Sequence, residues 1–171
     1  EGGSDWRTIR VRDAVVGRDT PDELSWVKFS PPSWRRDGSG FYYCRYPPPP
    51  PGDTRKGANT NMKLYFHRLG EEQSQDALVH ENAAEPTWNT TAVVSDDGEW
   101  LVRSTWMGAP DRNLLHVRPE GDPSAPWIAL NDAWDTDLVY VGNDGERFYL
   151  RTRLDAPRRR IVAVDVRHPE R

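Results

Sequence analysis

Apolar and aromatic residues come in short bursts along this chain, with polar turns between them. Three times, two such bursts flank an Asp-Gly pair: Asp37-Gly38, Asp97-Gly98 and Asp144-Gly145. Tight hairpin turns need positive φ, which glycine adopts at little cost, so each pair predicts a β-hairpin. The strand after each turn is legible as FYYCRY, EWLVRSTW and RFYLRTR. The strand before it reads SWVKFS onward to Trp34, WNTTAVV and DLVYV. A third strand follows a polar loop, at KLYFHRL, NLLHVR and RIVAVDV, and DALVHE and WIALND supply a fourth in two copies.

The copies keep a period. Gly98 to Leu115 and Gly145 to Val162 are both 17 residues apart, whereas Gly38 to Tyr65 is 27, the excess lying in PPPPPGDTRKGANT. A four-stranded antiparallel unit recurring at a period of ~40–50 residues is the pattern of a β-propeller blade. Several strands are apolar on both faces, with Phe41 and Tyr43 pointing one way and Tyr42, Cys44 and Tyr46 the other. That suits a sheet held between neighbouring sheets better than one facing water. The fold class expected is therefore all-β, a propeller fragment of about three blades. Residues 1–24 form the end of one blade, 25–83 and 84–133 two full blades, and 134–171 a blade cut after its third strand. Closed propellers need roughly four to eight blades. A natural end would not cut a blade, so the sequence, which opens at Glu1 without methionine, is expected to be part of something longer. An apolar face of roughly 400 Å² left bare at each end would forgo about 10 kcal/mol at ~25 cal/mol/Å², so the piece alone is expected to be marginal or self-associating.

Composition sharpens this. Leu, Ile, Val and Phe number only 32 of 171, but eight Trp and six Tyr supply an aromatic core. The net charge of −4 gives no basic face for nucleic acid. The Arg158-Arg159-Arg160 cluster is read as a solvated loop. A lone cysteine, Cys44, excludes an internal disulfide and a cysteine-based zinc site, and its strand context makes it a buried thiol rather than a nucleophile. No apolar run reaches membrane length and no signal peptide is present. The expected compartment is the cytoplasm, or the periplasm if an upstream signal exists. No membrane or nucleic-acid partner is expected.

The segments WVKFSPPSWRRDGSGFYYCRYP, KLYFHRLGEEQSQDALVHE, EPTWNTTAVVSDDGEWLV and YVGNDGERFYLRTRLDAPRRRIVAVD resemble, in order, the propeller domain of the prolyl oligopeptidase family. HRLGEEQSQDALVHE is the most specific of them. The resemblance covers the chain from Trp6 to Asp165. It implies a seven-bladed propeller capping an α/β-hydrolase domain, which carries a Ser-Asp-His triad and cleaves short peptides on the carboxyl side of proline. The partners implied are short proline-containing peptides, the hydrolase domain and the remaining blades. The family's F-S-x-x-x-W segment, Phe29 to Trp34 here, gives its phenylalanine a substrate subsite, so the resemblance implies a substrate-binding role for Phe29. Two further pocket positions of mammalian members fall at Asn89 and Ala109, and both residues differ from the family's, so the distal pocket and any thiol sensitivity are not carried over.

No catalytic residue is expected in this chain. It has no G-x-S-x-G nucleophile elbow, and Gly38-Ser39-Gly40 is read as hairpin turn. The four histidines, His67, His80, His116 and His168, are assigned structural or surface roles, since a triad needs a base beside its serine. The turn aspartates Asp37, Asp96, Asp97 and Asp144 could be imagined around calcium, but one turn per blade cannot converge on one ion. Neither metal nor cofactor is expected. The run Pro47 to Pro51 would adopt polyproline II and could dock a PxxP reader, though a stiff solvent-facing loop is the simpler account. Asn89-Thr90-Thr91 is a glycosylation acceptor by pattern. Two other functions remain open. A related oligopeptidase would cleave with a different specificity, such as after basic residues. A non-catalytic module would close its ring by dimerising and bind peptides.

Overall fold

Thirteen strands and one 3₁₀ turn, over Gln73–Gln75, make up the described regular structure, and every strand pairing recorded is antiparallel. The computed structural model describes residues 5–50, 59–108 and 111–169. The chain divides into two compact units, Glu1–Asn89 and Thr90–Arg171.

In the first unit, β1 (Arg7–Asp13) and β2 (Arg18–Val27) form a two-stranded sheet. A second sheet has the order β3-β4-β5-β6, with β3 at Ser33–Trp34, β4 at Gly40–Arg45, β5 at Lys63–Arg68 and β6 at Ala77–Glu81. The two sheets share a core of Val11, Leu24 and Val27 against Phe41 and Tyr43. The alternate residues of β4, Tyr42 and Cys44, are also buried, as is Tyr46 just beyond it, so this sheet is apolar on both faces as its sequence suggests. Each aromatic or aliphatic side chain so buried contributes about 1.5–3 kcal/mol.

One strand differs from expectation. SWVKFS does not enter the Asp37-Gly38 hairpin. Ser25, Trp26 and Val27 end β2 in the preceding sheet, and only Ser33–Trp34 pairs with β4. That sheet accordingly ends at Val27 rather than at Leu24. Val27 is 1% exposed inside the first core and pairs with Arg7 of β1, and left-handed Phe29 (φ 53°) breaks the extended run after it.

In the second unit, β7 (Asn89–Val94), β8 (Trp100–Trp106), β9 (Leu114–Pro119) and β10 (Ile128–Asn131) form a four-stranded sheet in sequential order. Strands β11 (Leu138–Asp144), β12 (Arg147–Thr152) and β13 (Arg160–Asp165) form a three-stranded sheet. The cluster between them joins Val102, Leu115 and Val117 to Leu138, Phe148, Leu150 and Val166. The other face of the last sheet leaves Val139 and Ile161 exposed, with Tyr149 on the central strand 36% exposed.

The three turn glycines take the conformation their pairs predict: φ is 71° at Gly38, 80° at Gly98 and 57° at Gly145. Asp37 accepts the Ser39 N–H at 2.9 Å and Asp97 the Glu99 N–H at 3.0 Å. The aspartates therefore build the turns they occupy.

Candidate peptide-contact site

Residues 28–32 connect β2 to β3, and the backbone leading into and through them is unusual. A left-handed conformation costs a bulky L-residue about 1–2 kcal/mol, and Trp26 and Phe29 both adopt it. Such strain persists only where the surroundings over-determine it. Gln73 supplies part of that constraint: its Oε1 accepts the Ser25 N–H and its Nε2 donates to the Ser25 carbonyl, both at 3.1 Å. The Tyr46 N–H donates to the Trp26 carbonyl at 3.0 Å, and the Cys44 N–H donates to Ser30 Oγ at 2.7 Å. Trp6 meets Trp26 and Tyr46 edge-on at 5.7 and 5.9 Å. The Lys28 ammonium sits 4.0 Å from the Trp6 ring centroid and donates to Asn59 Oδ1 at 3.0 Å. From this braced segment Phe29 projects 54% exposed.

Behind the segment lies a buried polar network. His67, on β5, directs Nδ1 at Asp76 Oδ1 (2.7 Å) and Nε2 at Asp22 Oδ1 (2.9 Å), and all three side chains are almost wholly buried. Asp76 also accepts the Tyr43 hydroxyl at 2.5 Å, and Gln73 Nε2 donates to that hydroxyl oxygen at 3.1 Å. The Gly70 N–H donates to Asp22 Oδ1 at 2.6 Å. Burial opposes charge on Asp22, but hydrogen bonds from Thr20, Gly70 and His67 outweigh it and hold its carboxyl below the usual range. Burial, reinforced by the bond to Asp76, pushes the Tyr43 phenol well up. With a carboxylate at each ring nitrogen, His67 has no lone pair placed to take a proton from a hydroxyl, so its chemistry here is structural. Four of these residues, His67, Gly70, Gln73 and Asp76, lie in HRLGEEQSQDALVHE, the most specific segment of the sequence, and Tyr43 lies on β4. Their joint role was missed because their partners lie far off along the chain.

The other singled-out residues fall as follows. Cys44 is buried, and burial pushes its thiol up to about 12. Asn89 Oδ1 accepts the Tyr46 hydroxyl at 2.5 Å, so its amide serves packing. Ala109 and Pro51 lie outside the described residues. His80 Nε2 meets Asn82 Oδ1 at 3.0 Å. His116 is lowered to about 4 by burial and then by Arg103. Among the described residues, no group of three or more His, Cys, Asp or Glu could hold a metal ion.

In the second unit an open cleft of about 320 Å³ is lined by Asp111, Arg112, Asp135, Asp137, Arg153 and Asp155, among others. Its arginines are engaged: Arg153 pairs with Asp137 at 3.1 Å and donates to the Asp111 carbonyl at 2.5 Å, and Arg112 donates to the Trp134 carbonyl at 2.9 Å. They brace loops.

Comparison with known proteins supplies the context. The family described as "Prolyl oligopeptidase, N-terminal beta-propeller domain" matches residues 1–171. Prolyl oligopeptidase A of Amanita bisporigera is 35% identical over 98% of this chain and 25% of its own length. A prolyl endopeptidase of Elizabethkingia meningoseptica is 35% identical over 99% and 24%. Among solved structures, one from a mechanistic study of two prolyl endopeptidases aligns with a TM-score of 0.85 and 32% identity over 96% of this chain and 23% of its own. Prolyl oligopeptidase B from Galerina marginata, bound to a 25mer macrocyclization substrate, aligns with a TM-score of 0.86 and 27% identity over 96% and 25%. The chain spans about a quarter of the length of the curated relatives it matches.

Proposed function

The chain belongs to the prolyl oligopeptidase family, its all-β fold being a fragment of that family's N-terminal β-propeller, and from this membership we propose that it is the substrate-gating portion of a serine peptidase cleaving short peptides after proline. In this reading residues 28–83 and 84–133 are two blades of a seven-bladed ring. Serine attack, oxyanion stabilisation and the proline pocket belong to an α/β-hydrolase domain outside these residues. The exposed row of Val139 and Ile161 supports a further blade as the neighbour of the last sheet. No helix among the described residues is long and apolar enough to cross a membrane.

The observation that carries the reading is Phe29. It sits in the segment matching the family's F-S-x-x-x-W pattern, in a left-handed conformation that exposes its ring. A bulky residue held so is uncommon unless its display is useful. In the natural protein at full length, Phe29→Ala is expected to raise KM about tenfold for peptides extended before the proline, because an aromatic contact worth about 1.4 kcal/mol is a factor of ten. A short Gly-Pro reporter should be unaffected. Unchanged kinetics on the extended peptides would remove Phe29 from the pocket, and no hydrolysis of either substrate would favour a non-catalytic peptide-binding module.

A further inference from the structure

Ser25 and Trp26 lie in a register shift between the Leu24–Ile9 and Val27–Arg7 pairs of β2 and β1, and Trp26 and Phe29 are both left-handed. The fixed point of the Trp26–Phe29 segment on the β2 side is Ser25, whose N–H and C=O are both taken by the Gln73 side chain, 48 residues away. A primary amide offers one donor and one acceptor side by side, as a strand residue does, so Gln73 stands in for the strand neighbour that Ser25 lacks there. Gln73 is in turn oriented by the Tyr43 hydroxyl, which is held by Asp76, which is held by His67, which is held by Asp22 back on β2. The chain of bonds closes on the strand from which it began. Asp22 and Ser25, three residues apart, are thus fixed by the same network.

We propose that Gln73, held by the Asp22–His67–Asp76–Tyr43 network, is a positioning residue that sets the Trp26–Phe29 segment for contact with the peptide. This rests on Phe29 touching substrate. It adds a residue whose side chain hydrogen-bonds the Ser25 backbone and the Tyr43 hydroxyl, and gives the His67–Asp76 stretch a task beyond packing. Gln73 would govern binding of the residues preceding the proline and have no part in the bond-breaking step.

The test uses the natural protein at full length and three variants. Gln73→Met keeps the side chain's length and removes both hydrogen bonds to Ser25. Tyr43→Phe keeps the ring and removes the hydroxyl that orients Gln73, which serves if the first variant folds poorly. Phe29→Ala is the reference. Two measurements are made: hydrogen–deuterium exchange of residues 25–31, with β12 as control, and steady-state kinetics on peptides with and without residues before the proline. Expected for Gln73→Met is exchange about thirtyfold faster in residues 25–31 with β12 unchanged, since two net hydrogen bonds of ~1 kcal/mol each are lost. Expected also is KM raised about fivefold on extended peptides at constant kcat, the mark of lost uniform binding. Tyr43→Phe should move both in the same direction by less. If Phe29→Ala raises KM and Gln73→Met does not, the positioning role is overturned while Phe29's role stands. If Phe29→Ala leaves KM unchanged, the substrate reading falls, and exchange alone then decides whether Gln73 sets the segment. Unchanged exchange in Gln73→Met overturns the inference in every case.

Discussion

Two glycines of one hairpin, two residues apart, should lose very different amounts of stability to the same substitution. Gly38 has φ +71°, and a Cβ built on it meets nothing within 4 Å. Gly38→Ala therefore costs only the left-handed conformation, about 1 kcal/mol. Gly40, at the start of β4, has no such φ, but its Cβ would lie 2.1 Å from the His67 carbonyl oxygen, 2.8 Å from Phe66 Cζ and 3.1 Å from Arg68 Cα. Two of these are backbone atoms of β5, the central partner of β4. Restoring an ordinary contact requires the two strands to part by roughly 1 Å, at the overpacking cost of about 1–3 kcal/mol plus ladder hydrogen bonds of about 1 kcal/mol each. A total near 4 kcal/mol for Gly40→Ala follows. Thermal melts of the parent chain and both variants at one concentration, followed by circular dichroism, should show a loss of roughly 10 °C for Gly40→Ala and roughly 3 °C for Gly38→Ala, at about 2–4 °C per kcal/mol for a chain of this size. Similar losses would mean that Gly40 is needed only for conformational freedom and that the close approach of β4 and β5 gives way at little cost.

Two further outcomes are expected. Burial and the facing Arg103 lower His116 to about 4, against some opposition from Asp132. Between that value and the ordinary 6.5 the unfolded chain binds a proton that the folded chain does not, so folded stability should fall as pH drops from about 6.5 to 4. The difference is at most about 3 kcal/mol at 1.36 kcal/mol per tenfold, less with partial exposure; His116→Gln should flatten this part of the urea-midpoint pH profile, and an unaltered slope would show that His116 has no share in it. The exposed row of Val139 and Ile161 should make the isolated chain associate as its concentration rises, and Val139→Lys with Ile161→Lys should abolish this in sedimentation equilibrium; a parent that stays monomeric would show that the face tolerates water.

Much of the fold was legible because its signals are local. An aspartate that can bond the amide two residues on, followed by a glycine free to take positive φ, specifies a hairpin without reference to the rest of the chain, and all three hairpins stand where Asp37, Asp97 and Asp144 place them. Strand β11 ran past its expected end because a register shift between Tyr140 and Gly142 carries it to Asp144. The stretch Ser25 to Ser30 misled because aromatic and β-branched residues read as strand, and nothing local reveals that Trp26 and Phe29 are held left-handed. What holds that stretch is a set of side-chain-to-backbone bonds spanning 14 to 48 residues. Phe29 entered as a candidate through family resemblance alone; its conformation and exposure were visible only once the backbone was known.

The same device appears once in each unit, which suggests why it is needed. In the second unit Asn113 Oδ1 accepts the Leu138 N–H at 2.8 Å and its Nδ2 donates to the Leu138 carbonyl at 2.9 Å, as Gln73 does to Ser25. In both cases the amide sits in the four-stranded sheet or its loops, and the clamped residue belongs to the sheet packed against it. Sheets packed face to face share no ladder hydrogen bonds. Apolar burial holds them together but is non-directional, so it resists separation more than sliding. An amide clamp adds only about 1 kcal/mol per bond, yet it fixes one backbone residue at one place. Breaking it leaves a buried donor and acceptor unpaired, at about 1–3 kcal/mol each. A clamp of this kind therefore specifies register more than it supplies stability, and a segment that must present a side chain at a defined point, as proposed for residues 26–29, is where such specification has most effect.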